Sequence, residues 1–198
     1  MDARPGPDWA RPTGGKIKGF AVVNLLALAK ERYGPQTLFD YAQTVPAEFR
    51  TQVEKQMVLA SAWVPMELYY SAIGFLVRRH HQGDPMAARQ LGHDLTSKDV
   101  NSFFRMFLDF TSPSMVIGLS NRLWGMYLDR GRIAVVQNDP GCVKAEVSDW
   151  PLCDEFTANE LAGGTMAFLE HSRAKDCAIA SLEAPSATTL LLSVTYKH

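Results

Sequence analysis

The chain of 198 residues has few cysteines, almost no net charge and no long apolar run. Its cysteines, Cys142, Cys153 and Cys177, show no C-x-x-C spacing, which is typical of a reducing cytoplasm rather than of a disulfide framework. The formal net charge is −1 and the lysines and arginines are scattered, so nucleic acid is not an expected partner.

A membrane span is not expected either, because no stretch reaches the roughly 18 uninterrupted apolar residues that a spanning helix needs. The residues Met1–Gly15 are rich in proline and lack the apolar core of a signal peptide. We therefore expect a flexible segment over residues 1–15, a single domain over residues 16–198 and a cytoplasmic location.

The last third of the chain carries the clearest pattern, two β-hairpins with a helix between them. Arg132–Val136 and Cys142–Val147 flank one turn, and Ala178–Leu182 and Thr188–Tyr196 flank the other. Thr157–His171 is the helical stretch between the pairs. The sequence predicts an α+β fold, in which an N-terminal helical layer packs on a C-terminal antiparallel sheet of order strand-strand-helix-strand-strand.

Helical periodicity dominates the chain before Arg132, where apolar residues recur at three- and four-residue spacing. Thr96 or Ser97 is the expected cap of one helix, with Asp99 near its N-terminal dipole. The other predicted helices are Phe20–Arg32, Thr37–Gln43, Pro46–Ala60, Pro65–Arg79, one that starts at Asp84-Pro85, and one that runs from Ser112-Pro113 to Gly131.

The helix between the hairpins contains two consecutive glycines, Gly163 and Gly164. Each glycine costs a helix interior roughly 1 kcal/mol relative to alanine. We expect the close approach of another backbone or of a bound group to offset that cost. A capping box, Thr157-Ala158-Asn159-Glu160, is the expected start of this helix.

Aromatic side chains on the predicted helix faces favour an apolar pocket between helices and sheet, although a solid core gives the same pattern. The candidate pocket residues are Trp63, Tyr70, Phe103, Phe107, Trp124, Tyr127, Cys153, Gly164 and Phe168.

No catalytic constellation is found, since Gly118-Leu119-Ser120 lies inside a helical stripe and is not a nucleophile elbow. Two His-containing pairs, His80-His81 and His93-Asp94, are the residues that a metal-dependent enzyme would use. Adjacent histidines at a helix end point in different directions, so no metal site is expected from them.

Several short motifs resemble, in their order, a paralogous family of domains of similar length that is abundant in myxobacteria. The likeness spans about Lys16 to Tyr196. The motifs are Ala62-Trp63-Val64-Pro65, Gly83-Asp84, Leu91-Gly92, Phe110-Thr111-Ser112-Pro113, Leu123-Trp124-Gly125, Gly131-Arg132, Trp150-Pro151-Leu152-Cys153, Gly163-Gly164 and Phe168-Leu169-Glu170.

That family is distantly similar to a superfamily of haem nitric-oxide-binding domains, 4-vinyl reductase domains and small subunits of the TRAPP vesicle-tethering complex. The resemblance implies an α+β fold with an apolar ligand cavity, often dimeric, used for sensing or scaffolding. The Tyr-x-Ser-x-Arg motif of the haem branch is absent, and Ala184–Ser193 lacks the cysteines that help other members bind zinc. We therefore expect no cofactor, neither haem nor zinc.

The predicted function is that of a non-enzymatic sensor or signalling scaffold that binds a small apolar ligand or a partner protein. We expect ligand binding to change a homodimer contact or the binding of a protein partner. Two alternatives stay open: a pure protein-interaction subunit with no ligand, and a metal-dependent enzyme or haem-binding sensor.

Overall fold

The computed structural model describes Trp9 and residues 13–100, 112–151 and 153–197. Its architecture is the predicted α+β arrangement. In the described part of the chain, helices and two short strands precede Arg132, and an antiparallel sheet with one inserted helix follows. In the described part of the chain, the helices are α1 (Gly19–Tyr33), α2 (Gln36–Ala42), α3 (Ala47–Glu54), α4 (Glu67–His80), α5 (Pro85–Asp99), α6 (Pro113–Gly118), α7 (Ser120–Tyr127) and α8 (Glu155–His171).

The main sheet has four antiparallel strands, in the order β3 (Arg132–Asp139), β4 (Cys142–Ser148), β6 (Thr189–Lys197) and β5 (Lys175–Ser186). A second sheet pairs the short strands β1 (Lys16–Lys18) and β2 (Trp63–Pro65). Alternation along β4 buries Val143, Ala145 and Val147 on one face, because successive side chains of a strand point to opposite sides.

The expected helix caps are only partly correct. Asp84 and Ser112 do cap α5 and α6, each directly before a proline. The predicted start at Thr96 or Ser97 is wrong, because α5 continues through both residues to Asp99. The Thr96 side chain instead lies against α8 at Gly164. The helix predicted beyond it falls largely on residues 101–111, outside the described residues.

The helix between the hairpins starts earlier than expected. Asp154 is its N-cap, and its carboxylate accepts a hydrogen bond from the Thr157 backbone N–H at 2.8 Å. The Thr157 hydroxyl accepts from the Asp154 N–H at 3.1 Å, which completes a capping box three residues upstream of the predicted one. An aspartate caps as well as a threonine does, so the sequence offered two registers.

The helical layer and the sheet share one apolar interior. The largest buried cluster contains Leu25, Ile73 and Leu91 from the helices together with Val147 and Leu190 from the sheet. A second cluster lies between α8 and the middle of the sheet. The two layers therefore fold around a common core.

The helices α5 and α8 touch at the level of their backbones. A Cβ atom added at Gly163 would lie 1.9 Å from the Arg89 carbonyl oxygen, and one added at Gly92 would lie 2.0 Å from the Glu160 carbonyl oxygen. Only glycine permits this approach, which accounts for the glycine pair inside α8.

The predicted division at residue 15 stays a prediction. On the N-terminal side of that boundary, the Thr13 hydroxyl donates to Glu67 Oε1 at 2.7 Å, and the Gly15 carbonyl accepts from the Met66 N–H at 3.1 Å. None of the helices described here is long and apolar enough to cross a membrane. The cytoplasmic location stays a prediction.

Candidate ligand-binding cavity

A cavity of about 160 Å³ lies between α5, α7, α8 and the inner face of the sheet. An engineered protein cavity of roughly 150 Å³ holds one benzene molecule, so this space suits a ligand with a single ring. The backbone contact at Gly92 and Gly163 holds α5 and α8 together on one side of the cavity, and the sheet closes the opposite side.

The sheet supplies an apolar wall. Val143 and Ala145 of β4 and Leu192 and Val194 of β6 line the cavity, since these strands turn their buried faces toward the helices. Across from them, α8 contributes residues such as Phe168. Such a wall favours apolar ligands, because binding removes the apolar surfaces of both the ligand and the wall from water.

One corner of the cavity is polar and centres on Glu160 of α8. The Tyr69 hydroxyl donates to Glu160 Oε1 at 2.6 Å. Among the described residues, no donor reaches the second carboxyl oxygen, Oε2. Burial raises the pKa of Glu160 to about 7, although the hydrogen bond from Tyr69 opposes this shift.

A second buried carboxyl group, Asp99 at the end of α5, lines the same cavity. It accepts hydrogen bonds from the Tyr127 hydroxyl at 2.9 Å and from the Asn24 side-chain amide. Burial raises the pKa of Asp99 to about 6, and both hydrogen bonds act against that rise. The cavity thus combines an apolar wall with two acidic groups.

Tyr70 of α4 lies beside this corner. Its side chain is 4% exposed and lines the cavity. Its ring meets Tyr69 and Trp150 edge to face, with centroids 5.0 Å and 5.8 Å apart. The Tyr70 hydroxyl has no hydrogen-bond partner in the part of the chain that the structure describes. Because Tyr70 lines the cavity, a polar group of a ligand there is placed to hydrogen-bond this hydroxyl.

The structure brings together part of the predicted pocket set: Tyr70, Trp124, Tyr127, Gly164 and Phe168 all line the cavity. That they bind a ligand stays a prediction. Phe103 and Phe107 lie outside the described residues.

Two predicted pocket residues do not line the cavity. Trp63 belongs to β2, is 40% exposed and lies under the Lys18 ammonium, 4.3 Å from the ring centroid. Cys153 is half-buried, and its thiol donates to the Thr189 carbonyl at 3.3 Å.

The polar residues Tyr69, Asp99 and Glu160 were not among the sequence candidates. Asp99 was assigned to a helix start and Glu160 to a capping box, because acidic residues are frequent at both places. The available signal was the position of each acid on a helix face that is otherwise apolar.

The histidines do not form a metal site. The rings of His80 and Tyr33 stack with centroids 4.1 Å apart, and His81 Nε2 lies 2.7 Å from the Tyr33 hydroxyl. His93 Nε2 lies 2.8 Å from Glu170, whereas Asp94 pairs with Arg32. Over the described residues, no group of three or more His, Cys, Asp or Glu side chains is placed to hold a metal ion.

No family model and no curated protein sequence matches the chain. Solved structures do match the chain, and the three that follow are H-NOX domains. The Fe(II) unliganded H-NOX protein from K. algicida has a TM-score of 0.71 at 10% identity, covering 91% of this chain and 97% of that one. A structure solved to probe haem distortion in the H-NOX family has a TM-score of 0.67 at 9% identity, covering 91% and 95%.

A third match is the oxygen complex of an oxygen-binding H-NOX domain related to soluble guanylate cyclases. It has a TM-score of 0.66 at 8% identity and covers 91% of this chain and 95% of that one. The chain therefore has an H-NOX-like fold, as the distant resemblance implied. The myxobacterial family stays a prediction.

The expectation of no cofactor is contradicted by these comparisons, because the H-NOX neighbours include haem proteins. Absence of the Tyr-x-Ser-x-Arg motif was too weak a reason to expect none, since the fold persists at 8–11% identity.

The residues described around the cavity do not themselves fit a haem. In the described lining no histidine, cysteine or methionine is present to bind iron, and no arginine or lysine is present to meet the propionates. Tyrosine can also bind haem iron, but burial raises the pKa of Tyr69 and Tyr70 and so disfavours the phenolate that would do so. The sequence has no histidine between His93 and His171. A volume of about 160 Å³ suits one aromatic ring rather than a porphyrin.

Proposed function

We propose that the chain is a sensor module that binds a small, largely apolar ligand in the cavity of its H-NOX-like fold. The cavity of about 160 Å³ between the sheet and α5, α7 and α8 is the observation that carries this proposal. Burial of the ligand against the apolar wall supplies the affinity, and the few polar groups orient it.

A sensing role is favoured over catalysis by the chemistry of the lining. Ser120 and Thr165 are among the lining residues, but the described lining contains no histidine to act as a base, and the Thr165 hydroxyl donates to the Leu161 carbonyl at 2.9 Å. The two carboxyl groups are already bonded to tyrosines. These contacts suit recognition.

The signal is a shift between two packings of the cavity wall. The backbone contact at Gly92 and Gly163 fixes α8 on α5, so this part of the wall is rigid. The segment α6–α7 is interrupted at Leu119, and on α7 only Trp124 is buried. A ligand that prefers one position of α7 against the sheet changes the population of that position. A partner protein or second copy that reads the change stays a prediction.

Toluene tests the cavity because it matches the predicted size and carries no polar group. We expect toluene to raise the melting temperature of the protein, since a ligand that binds only the folded state stabilises it. The Ala145→Leu variant fills the cavity from β4 and should lose this response. The matched variant Ala134→Leu, on an exposed position of the neighbouring strand β3, should keep it.

An equal toluene response in all three proteins, or none in the wild type, contradicts binding in this cavity. Absorption spectra test haem separately. A stoichiometric Soret band in the protein as purified, or after addition of hemin, makes haem the ligand and overturns direct binding of a small molecule.

A further inference from the structure

We propose that the ligand is a small organic amine whose ammonium group binds between Glu160, Asp99 and Tyr70. The inference rests on the proposed function and names the chemistry of its ligand. The apolar part of the amine, a single ring or a short branched chain, would then contact the sheet wall at Val143, Ala145 and Leu192.

The charges around the cavity favour a cation. Glu160 and Asp99 both line it, whereas no lysine, arginine or histidine does so in the described part of the chain. Lys98 acts on Asp99 electrostatically from the neighbouring position in α5 but does not line the cavity. Two buried carboxylates with no cation in the cavity lining are costly, and an ammonium group that pairs with them offsets part of that cost.

The unused hydrogen-bonding capacity points to the same group. Glu160 Oε1 accepts from Tyr69, but among the described residues Oε2 has no donor. The Tyr70 hydroxyl, on a side chain that is 4% exposed and lines the cavity, has no partner there either. An ammonium group has three N–H donors and no acceptor, so it satisfies a carboxylate oxygen and a hydroxyl oxygen together.

Aromatic rings complete the environment of a cation. Tyr69, Tyr70, Tyr127 and Trp124 all line the cavity, and each ring has a negative face. A cation held over such faces gains attraction, and the gain is larger where water is excluded. A neutral ligand of the same shape would gain the apolar contacts but neither the charge pairing nor this attraction.

Titration calorimetry of the full chain with benzylamine, benzyl alcohol and toluene tests the proposal. The three molecules share a ring and differ in the head group. At mildly alkaline pH, where Glu160 is ionised, we expect benzylamine to bind at least about tenfold more tightly than benzyl alcohol, a difference of about 1.4 kcal/mol. Glu160→Gln should remove this preference and leave the affinity for toluene unchanged.

Two further variants separate recognition from folding. Tyr70→Phe removes a hydroxyl that has no partner in the described structure, so it should fold normally and weaken benzylamine binding several-fold. Glu31→Gln changes an exposed carboxylate on α1 and should behave as the wild type. Circular dichroism and thermal unfolding establish whether each variant is folded. If Glu160→Gln does not fold, the benzylamine affinity of Tyr70→Phe tests the proposal instead.

The outcomes distinguish the two proposals. Equal affinity for benzylamine and benzyl alcohol, with toluene also bound, overturns the amine and leaves the ligand cavity standing. Benzylamine binding that survives both Glu160→Gln and Tyr70→Phe also overturns it. Failure of all three molecules to bind overturns both proposals.

Discussion

The two sides of α4 differ in how completely they are filled. On one side the Tyr41 hydroxyl donates to the Leu68 carbonyl at 2.7 Å and lies 2.8 Å from the Ser71 hydroxyl, beside a void of only about 10 Å³. On the other side Tyr70 faces a cavity of about 160 Å³. The Tyr41 hydroxyl is therefore hydrogen-bonded in a filled part of the core, whereas the Tyr70 side chain borders a cavity.

This difference supports the proposal that the cavity, rather than the region around Tyr41, is the functional part of the core. Protein interiors are close-packed and their buried polar groups are paired, and the region around Tyr41 meets both conditions. A cavity with unpaired polar groups costs stability, so its presence next to a well-packed core supports the proposed ligand site.

The largest expected effect comes from breaking the contact between α5 and α8 beside the cavity. In Gly163→Ala the new Cβ meets the Arg89 carbonyl, which is backbone and cannot rotate away. We expect a loss of about 3 kcal/mol or more in the free energy of unfolding, measured by urea denaturation. The matched variant Gly125→Ala adds a Cβ in open space on α7 and should change stability by no more than about 1 kcal/mol. Similar losses in the two variants would contradict the backbone contact.

The pH dependence of stability sharpens the comparison next. The pKa of Glu160 is raised from its ordinary value of 4.5 to about 7, so the folded protein holds this proton at pH values where the unfolded chain has lost it. Stability therefore falls as the pH rises through this window, by on the order of 3 kcal/mol for the full shift.

The Glu160→Gln variant should show a much flatter profile in urea denaturation at about pH 5 and about pH 8. A residual slope of the same sign is expected from Asp99, whose pKa is raised to about 6. Glu31→Gln should keep the wild-type slope. A wild-type stability that rises with pH across this window would refute the burial of a titrating Glu160.

The smallest effect compares the two tyrosines directly. Tyr41→Phe removes a hydroxyl with two partners and should lower the free energy of unfolding by about 1–2 kcal/mol. Tyr70→Phe removes a hydroxyl without a described partner and should cost less than about 0.5 kcal/mol. Thermal and urea unfolding of both variants measure the difference, and a reversed order would contradict the assignment of Tyr70 to an open cavity.

The sequence predicts the layers better than it predicts the site. The alternation of Val143, Ala145 and Val147 is local, so the sheet can be predicted from it. The glycine pair at Gly163 is also local, but it predicts only a close approach, by another backbone or by a bound group, and does not name α5. The strands β1 and β2 cannot be predicted in this way, since three residues each are too few to show a period.

The acidic corner of the cavity has no local signature. Asp99 and Glu160 come from helices that are far apart in the chain and meet only because α5 crosses α8 at glycine. Aromatic residues on helix faces did indicate Tyr70 and Trp124. Trp63 is also aromatic but lies at the surface. The residue type alone does not show which face of a short strand is buried.

The borders of the main sheet have a consequence for how copies of the chain associate. The outer strand β5 changes register against β6 at three places, and β3 does so against β4 between Val135 and Gln137. Such interruptions make a strand a poor template for an incoming one. Fibril-like growth by strand addition is therefore disfavoured at both borders.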